Sequence, residues 1–377
     1  MDSPEIDRCR QEIDRLDREI LDRLSQRADL AVEIGRRKKA LGRPTLDPGR
    51  EEEVVSRLLE QNHNPLAGDA LRRIYVQIIS ACRALQSPVT VSYLGPEATF
   101  SHLAAREYFG DSAEFLARES IGDVFGQVET GQVDFGIVPV ENSLEGAVSQ
   151  TLDHLVETRL RVCGESYLRV AHALLSLEAD LARIERVLSH PQALAQCRPW
   201  LAKNLPGGQA VETSSTAEAA RRAAREPGSA AVGLEMLAEL YGLKVLARNI
   251  QGRRINLTRF LILGRGDCSR TGRDKTSVFF TTPHQPGSLS KCLQPLARAG
   301  VNLTRIESRP SKQTPWEYVF FLDFEGHRLD EPVRAALESM AEKALSLSVL
   351  GSYPCGWRPG QGARPAQPGR VGPGAGS

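Results

Sequence analysis

A hydroxyl, a guanidinium and an amide stand together in Asn256-Leu257-Thr258-Arg259, directly before the apolar run Phe260-Leu261-Ile262-Leu263 and its stop at Gly264. The run reads as a buried strand, so these polar groups are set at a strand mouth. They could hydrogen-bond a leaving oxygen or hold a carboxylate, although an ordinary loop-to-strand transition would look the same in isolation. Four further strand ends carry similar groups where helices should begin: Thr99 and Ser101, Glu141-Asn142-Ser143, Ser189-His190-Pro191-Gln192, and Ser215-Thr216. At a helix start, free backbone N–H groups and the positive end of the dipole add to such side chains in gripping carboxylates. Any one of them is an ordinary cap; four in one stretch predict a polar cleft for an anionic ligand. No G-x-x-x-x-G-K-[ST] or G-x-G-x-x-G pattern supports a nucleotide site.

A second set of charges lies in a helical N-terminal part. Ile6, Ile13, Ile20, Ile34 and Leu41 recur at sevens, with Leu16, Leu24 and Leu30 filling in, and Arg27 takes a position where the repeat expects an apolar residue. Lys38 follows eleven residues later, about 20° from three full turns and about 16 Å along the axis. Buried unpaired cations are very costly, so two on a dry face imply an anion between them, unless they reach water or pair with Asp29 and Glu33. Arg10 precedes Arg27 by about 25 Å of straight helix. It could join the same ligand only from a second chain lying antiparallel.

The elements that position these groups fall into three units. Residues 5–86 read as one very long helix, a second helix opened by Asp47-Pro48, and a third from Leu71 to Gln86. So long a helix cannot bury its stripe alone, and pairing with a second copy is the natural remedy. From Ser87-Pro88 to Gly264, strand-like and helical runs interleave, which predicts an α/β architecture. A polar linker over 264–275 leads to βαββαβ, with helices over 288–299 and 330–345. The Gly-, Pro- and Arg-rich tail reads as disordered.

The length of 377 residues fits two or three domains, and 48 basic against 47 acidic residues, a net charge of +1, give no global signal for nucleic acid or anionic membrane. The seven cysteines are scattered and never spaced C-x-x-C, which argues against a disulfide framework or metal site and for a reducing compartment. With no signal peptide and no run of the roughly 20 apolar residues that a membrane helix needs, a soluble cytoplasmic protein is expected.

The segment from Arg10 through Val55 resembles the all-helical chorismate mutases. That resemblance implies a dimer in which Arg10 (from the partner), Arg27 and Arg50 hold the substrate carboxylates. Lys38 and Gln86 would donate to the breaking ether oxygen, and Asp47 and Glu51 would fix Lys38, the hydroxyl and the backbone. Cys82 stands where relatives often have serine, and a thiol is a weaker donor. A pericyclic rearrangement needs only a compact reactant and fixed donors facing the developing charge, which suits these residue types.

The segments around Thr99, Glu141, Ser189, Ser215 and "NLTRF" together resemble prephenate dehydratase across 88–265. Two α/β subdomains, folded like a periplasmic binding protein with the site between them, are then implied. Thr258, helped by a water or by His190, would polarise the leaving hydroxyl. Arg259 would hold a carboxylate and Phe260 would shield the ring, with Asn256 and the four strand-end groups lining the cleft. Ala98 departs from the family's usual glycine.

Gly287-Ser288-Leu289, Asn302-Leu303 and Glu307-Ser308-Arg309-Pro310 resemble the ACT regulatory domain, which implies phenylalanine binding at an interface of paired copies. The expectation is therefore a multidomain chain: all-α chorismate mutase (1–87), α/β dehydratase (88–265), α+β ACT domain (274–353) and tail (354–377). It would be a homodimer or higher oligomer, act on chorismate and prephenate, be inhibited by phenylalanine, and need no cofactor. The alternatives are a dehydratase with an inactive N-terminal dimerisation domain and a non-catalytic sensor of aromatic metabolites.

Overall fold

The structure, a computed structural model, describes residues 4–42, 44–63, 65–252, 256–311 and 318–356. Its first unit is three helices, α1 (Pro4–Ala40), α2 (Pro48–Glu60) and α3 (Gly68–Ala84). The start of α2 is as expected: Pro48 opens it and the Asp47 carboxylate accepts from the Arg50 N–H. Val55, Leu59, Leu71 and Ile79 form a small core between α2 and α3. The long helix has no such cover. Ala31 is the one buried residue of α1, whereas Ile6, Ile13, Leu16, Ile20, Leu30 and Ile34 are 44–67% exposed. The dry face expected from the isoleucine repeat is thus not made within one chain.

The second unit runs β1 (Thr90–Leu94), α4 (Phe100–Phe109), β2 (Glu114–Arg118), α5 (Ile121–Glu129), β3 (Phe135–Asn142), β4 (Gly146–Ala147), α6 (Ser149–Glu157) and β5 (Arg161–Arg169). It continues with β6 (Ala173–Ser176), β7 (Arg186–Ser189), α7 (Pro191–Asn204), β8 (Gln209–Glu212), α8 (Thr216–Ala223), β9 (Ser229–Gly233), α9 (Met236–Tyr241), β10 (Lys244–Ala247) and β11 (Leu257–Gly264). Two sheets result. The first has the order β2-β1-β3-β11-β5 with β4 added to β3, and the second β10-β6-β9-β7-β8. The chain leaves the first sheet after β5, builds the second, and returns at β11. This is the expected two-subdomain architecture, and Thr258 is the second residue of the returning strand.

Three of the four expected helix starts are present. Thr99, His190 and Ser215 are the N-caps of α4, α7 and α8. The fourth is corrected. Glu141-Asn142-Ser143 open no helix: the Asn142 side-chain Oδ1 accepts from the N–H groups of Leu144 and Glu145, making a side-chain turn into β4, and α6 begins only at Ser149.

The third unit is β12 (Asp274–Thr281), α10 (Ser288–Arg298), β13 (Leu303–Pro310), β14 (Tyr318–Glu325), α11 (Glu331–Ala341) and β15 (Ser346–Pro354), the expected βαββαβ, in sheet order β13-β14-β12-β15. Its core of Val278, Phe280, Leu296, Leu322, Phe324 and Met340 lies under the two helices. The opposite face packs on the second unit, where Val319, Phe321, Leu350 and Tyr353 join the core of the first sheet. The linker is shorter than expected, because Asp274 and Lys275 are buried residues of β12. At the other end, Cys355 donates to the Arg273 carbonyl and Gly356 to the Glu165 carboxylate, so residues 354–356 belong to the packed structure. The remaining tail lies outside the described residues. Among the described residues no helix is long and apolar enough to cross a membrane.

Candidate active sites

Antiparallel pairing of β3 with β11 sets Thr258 opposite Asn142 and Arg259 opposite Glu141. The Asn142 amide nitrogen donates to Thr258 Oγ1 at 2.9 Å and to Asn256 Oδ1 at 2.8 Å. Because Asn142 Oδ1 is occupied by two backbone N–H groups, the amide has only this orientation. Thr258 therefore accepts from Asn142 and keeps its own O–H free, among the described residues, to donate elsewhere.

The network crosses to the second sheet. Asn256 donates to Gln196 Oε1 at 3.0 Å, and Gln196 Oε1 lies 3.2 Å from His172 Nε2. Glu145 accepts from both Gln192 and Gln196 of α7, at 2.6 and 3.3 Å. Burial pushes the His172 imidazole down to about 4, against a smaller opposing effect of Gln196, so the ring is neutral at pH 7, and its Nδ1 is buried with no partner among the described residues. Sequence reasoning named Gln192 and missed Glu145, Gln196 and His172. The signal for Gln196 was its place one helical turn after Gln192. His172, alone in an apolar stretch, gave none.

Other expected cleft residues are placed unevenly. Ser143 and Leu257 exchange hydrogen bonds that close the strand mouth. Ser189 is fully buried and donates to the Val232 carbonyl, tying β7 to β9. Ser101 and Thr216 are buried in the first turns of α4 and α8, and His190 and Ser215 cap their own helices. Phe260 is 1% exposed and packs in the core of the first sheet. Arg259 is committed to protein partners: Glu165 at 2.7 Å, Asp323 at 2.5 Å and the Tyr353 hydroxyl at 3.0 Å. Its expected role as a holder of substrate carboxylate is thus already filled by two carboxylates of the chain. Ala98, the departure from glycine, is buried with φ +59°, a left-handed conformation that disfavours a side chain.

In the first unit, Lys38 Nζ donates to the Thr45 carbonyl at 2.7 Å, which brings the end of α1 against the approach to α2. Asp47 caps α2 and accepts from Ser269 Oγ. Glu51 is held by the buried Arg83 guanidinium at 2.7 Å; burial pushes its carboxyl up, with Arg83 opposing. Arg50 pairs with Glu53 and Arg10 with Asp7, both on the surface. Arg27 is half-buried and has no hydrogen bond or ion pair among the described residues. Gln86 Oε1 is buried with no partner among the described residues. Its stem lies on α1 at Gly35, where a Cβ would meet Gln86 Cγ at 2.7 Å. A mid-helix glycine costs about 1 kcal/mol relative to alanine, and this close approach accounts for it. Cys82 is a buried free thiol on α3.

The third unit has a cavity of about 230 Å³ at the start of α10, lined by Thr282, Gln285, Gly287, Ser288, Leu289, Tyr318 and Phe320. Gly287 caps the helix at φ +81°, the left-handed region that favours glycine. The expected partner stretch Glu307-Ser308-Arg309-Pro310 lies on the edge strand β13 and does not line this cavity, nor do Asn302 and Leu303. Arg309 instead reaches Ser149 and Asp153 of α6.

Comparison with known proteins matches the same three parts. Residues 9–87 fit the chorismate mutase type II family, 91–268 the prephenate dehydratase family and 276–342 the ACT domain. A bifunctional chorismate mutase/prephenate dehydratase of Aquifex aeolicus (strain VF5) is 46% identical over 93% of this chain and 98% of that protein. The corresponding protein of Escherichia coli (strain K12) is 35% identical over 92% and 95%. The crystal structure of a prephenate dehydratase from Arthrobacter aurescens in complex with L-Phe superposes with a TM-score of 0.66 at 35% identity, covering 71% of this chain and 90% of that one. With all three parts matched in order and relatives aligned nearly end to end, the chain belongs to the bifunctional chorismate mutase/prephenate dehydratase family.

Proposed function

We propose that the first unit rearranges chorismate to prephenate, that the second converts prephenate to phenylpyruvate with loss of CO₂ and water, and that phenylalanine binding to the third inhibits the second step. The observation that carries the dehydratase reading is the directed hydrogen bond from Asn142 to Thr258. It leaves the threonine O–H free, among the described residues, at a strand mouth where the chain returns to the first sheet and a polar network reaches α7. Aromatisation drives the reaction, and its barrier lies in expelling hydroxide. A fixed donor at that oxygen lowers the barrier without having to be a strong acid. Loss of the carboxylate's charge is favoured in a dry cleft, and the bridge from Glu145 to Gln192 and Gln196 draws the two halves together.

The mutase reading rests on Arg27, Lys38 and Gln86. Arg27 has no hydrogen bond or ion pair among the described residues, Lys38 donates to the Thr45 carbonyl and lies near the Glu51 carboxylate, and Gln86 Oε1 is buried with no partner among the described residues. A second copy laid along the exposed stripe of α1 would cover its isoleucines and bring its own Arg10 to the site. Separately, edge-to-edge pairing of two third units would bring another chain's Glu307–Pro310 edge to the cavity at Gly287, where the helix N-terminus suits an α-carboxylate and Tyr318 and Phe320 suit a ring. A homodimer, or a larger assembly built from it, is therefore the expected working form. The reading implies a cytoplasmic protein, and the free thiols suit a reducing compartment.

The test is one assay. Purified protein is given chorismate, and prephenate and phenylpyruvate are followed with and without phenylalanine. Sequential appearance of both, with only the second suppressed by phenylalanine, is expected. Absence of phenylpyruvate would refute the dehydratase, and direct use of prephenate without chorismate turnover would leave the first unit as a dimerisation module.

A further inference from the structure

We propose that Arg305 and Asp323, both in the third unit, are positioning residues of the dehydratase site. They are opposite each other in the β13–β14 ladder, as Arg259 and Glu141 are in the β11–β3 ladder. The two rungs cross-pair: Arg259 Nη1 lies 2.5 Å from Asp323 Oδ2, and Arg305 Nε lies 3.3 Å from Glu141 Oε2. A weaker approach of Arg259 to Glu141, 3.9 Å, closes the figure. Four alternating charges thus join one rung of the catalytic sheet to one rung of the regulatory sheet. The next rung in the catalytic sheet is Thr258 with Asn142.

Both ladders are irregular at this point. Register shifts between Arg259 and Phe260 in one, and between Leu303 and Arg305 in the other. A bulge interrupts regular pairing, so the end of β3 beyond it is held by only the Thr258 and Arg259 rungs on the β11 side. That end also pairs with β4 through Glu141–Ala147 and Asn142–Gly146, and Thr258 and Arg259 pair with β5, so the hold on the Glu141 and Arg259 side chains adds to these ladders in fixing where Asn142 and Thr258 stand. The hold is rigid. Arg259, Asp323 and Arg305 are each under 10% exposed at the side chain, and Ser277 donates to Asp323 at 2.5 Å. Arg259 keeps the Asp323 carboxyl below the usual carboxylate range against strong desolvation. Buried ion pairs of this kind are poor sources of net stability compared with apolar packing, so their use here favours a geometric role.

The proposal rests on the dehydratase reading, and its test separates the two. Full-length Arg305→Gln, Arg305→Lys and Asp323→Asn are assayed for dehydratase kcat and KM, with mutase turnover of the same samples as the measure of intact fold. Arg305→Gln should lower dehydratase kcat about 10-fold with KM within about 3-fold and mutase unchanged, and Arg305→Lys should recover at least a third of the wild-type kcat. Asp323→Asn should lose more. If it fails to fold, Arg305→Gln decides alone, since Glu141 at 40% exposure tolerates losing its partner. A dehydratase kcat in Arg305→Gln within 2-fold of wild type overturns the proposal. So does a parallel loss of both activities with a lowered Tm, which would make the pair structural only. Absence of phenylpyruvate formation in the wild type would instead refute the underlying reading.

Discussion

Replacing Asn142 by aspartate exchanges the amide NH₂ for an oxygen and leaves the shape of the side chain almost unchanged. The turn should survive, because a carboxylate oxygen can still accept from Leu144 and Glu145. What changes is the direction of the bond to Thr258. In the wild type Asn142 donates and the threonine O–H is free to point at the substrate. A carboxylate at 142 can only accept, so the threonine would turn its hydrogen toward it and the site would lose its donor. Removing one preorganised donor aimed at developing charge costs about 2.7–4 kcal/mol, or about 10²–10³ in kcat. Loss of the second donation, to Asn256, should cost roughly 1–3 kcal/mol of stability. Phenylpyruvate formation from prephenate gives the first quantity and denaturant unfolding the second, with mutase activity as the control. A kcat within about 5-fold of wild type would show that the direction of this hydrogen bond does not matter, and would refute the assignment of Thr258 as donor.

Gly35→Ala should lower mutase turnover about 10-fold, since the new methyl would displace Gln86 from 2.7 Å, while dehydratase rates stay unchanged; equal mutase rates would remove Gln86 from the site. Mixing inactive Arg10→Ala and Lys38→Ala chains should restore part of the mutase activity, because a heterodimer rebuilds one site. No recovery after verified subunit exchange would place Arg10 outside the partner's site. For His172 the folded imidazole titrates near 4 and the unfolded one near 6.5, so the unfolded state binds more protons between these values. Stability is then full above about pH 6.5 and falls by about 3 kcal/mol as the pH drops to about 4. Denaturant midpoints of wild type and His172→Asn should diverge in that window, and parallel pH profiles would contradict it.

Much of this was legible in the chain because the signals are local. Asp47-Pro48, Thr99 and Ser215 each cap a helix through bonds spanning three residues. Thr258 before an apolar run marked a strand mouth for the same reason. What was hidden depends on residues far apart. Asn142 looked like a helix start, but 116 residues separate it from the threonine that it orients. Arg259 looked like a ligand for substrate, and only the docking of β14 across 64 residues reveals its partner. His172 carries no pattern that distinguishes a network residue from a core ring, and Gln196 shows only its place one helical turn after Gln192. The isoleucine stripe of α1 was read as a face needing cover, and in a single chain it is exposed.

The most direct test is Thr258→Ala, assayed with chorismate and with prephenate. The change removes the hydroxyl at an intermediate-exposure position and leaves the first unit untouched. Chorismate consumption should continue at the wild-type rate, prephenate should accumulate, and phenylpyruvate should fall by at least about 10²-fold. Phenylpyruvate formation near the wild-type rate would contradict the placement of the dehydratase chemistry at the mouth of β11.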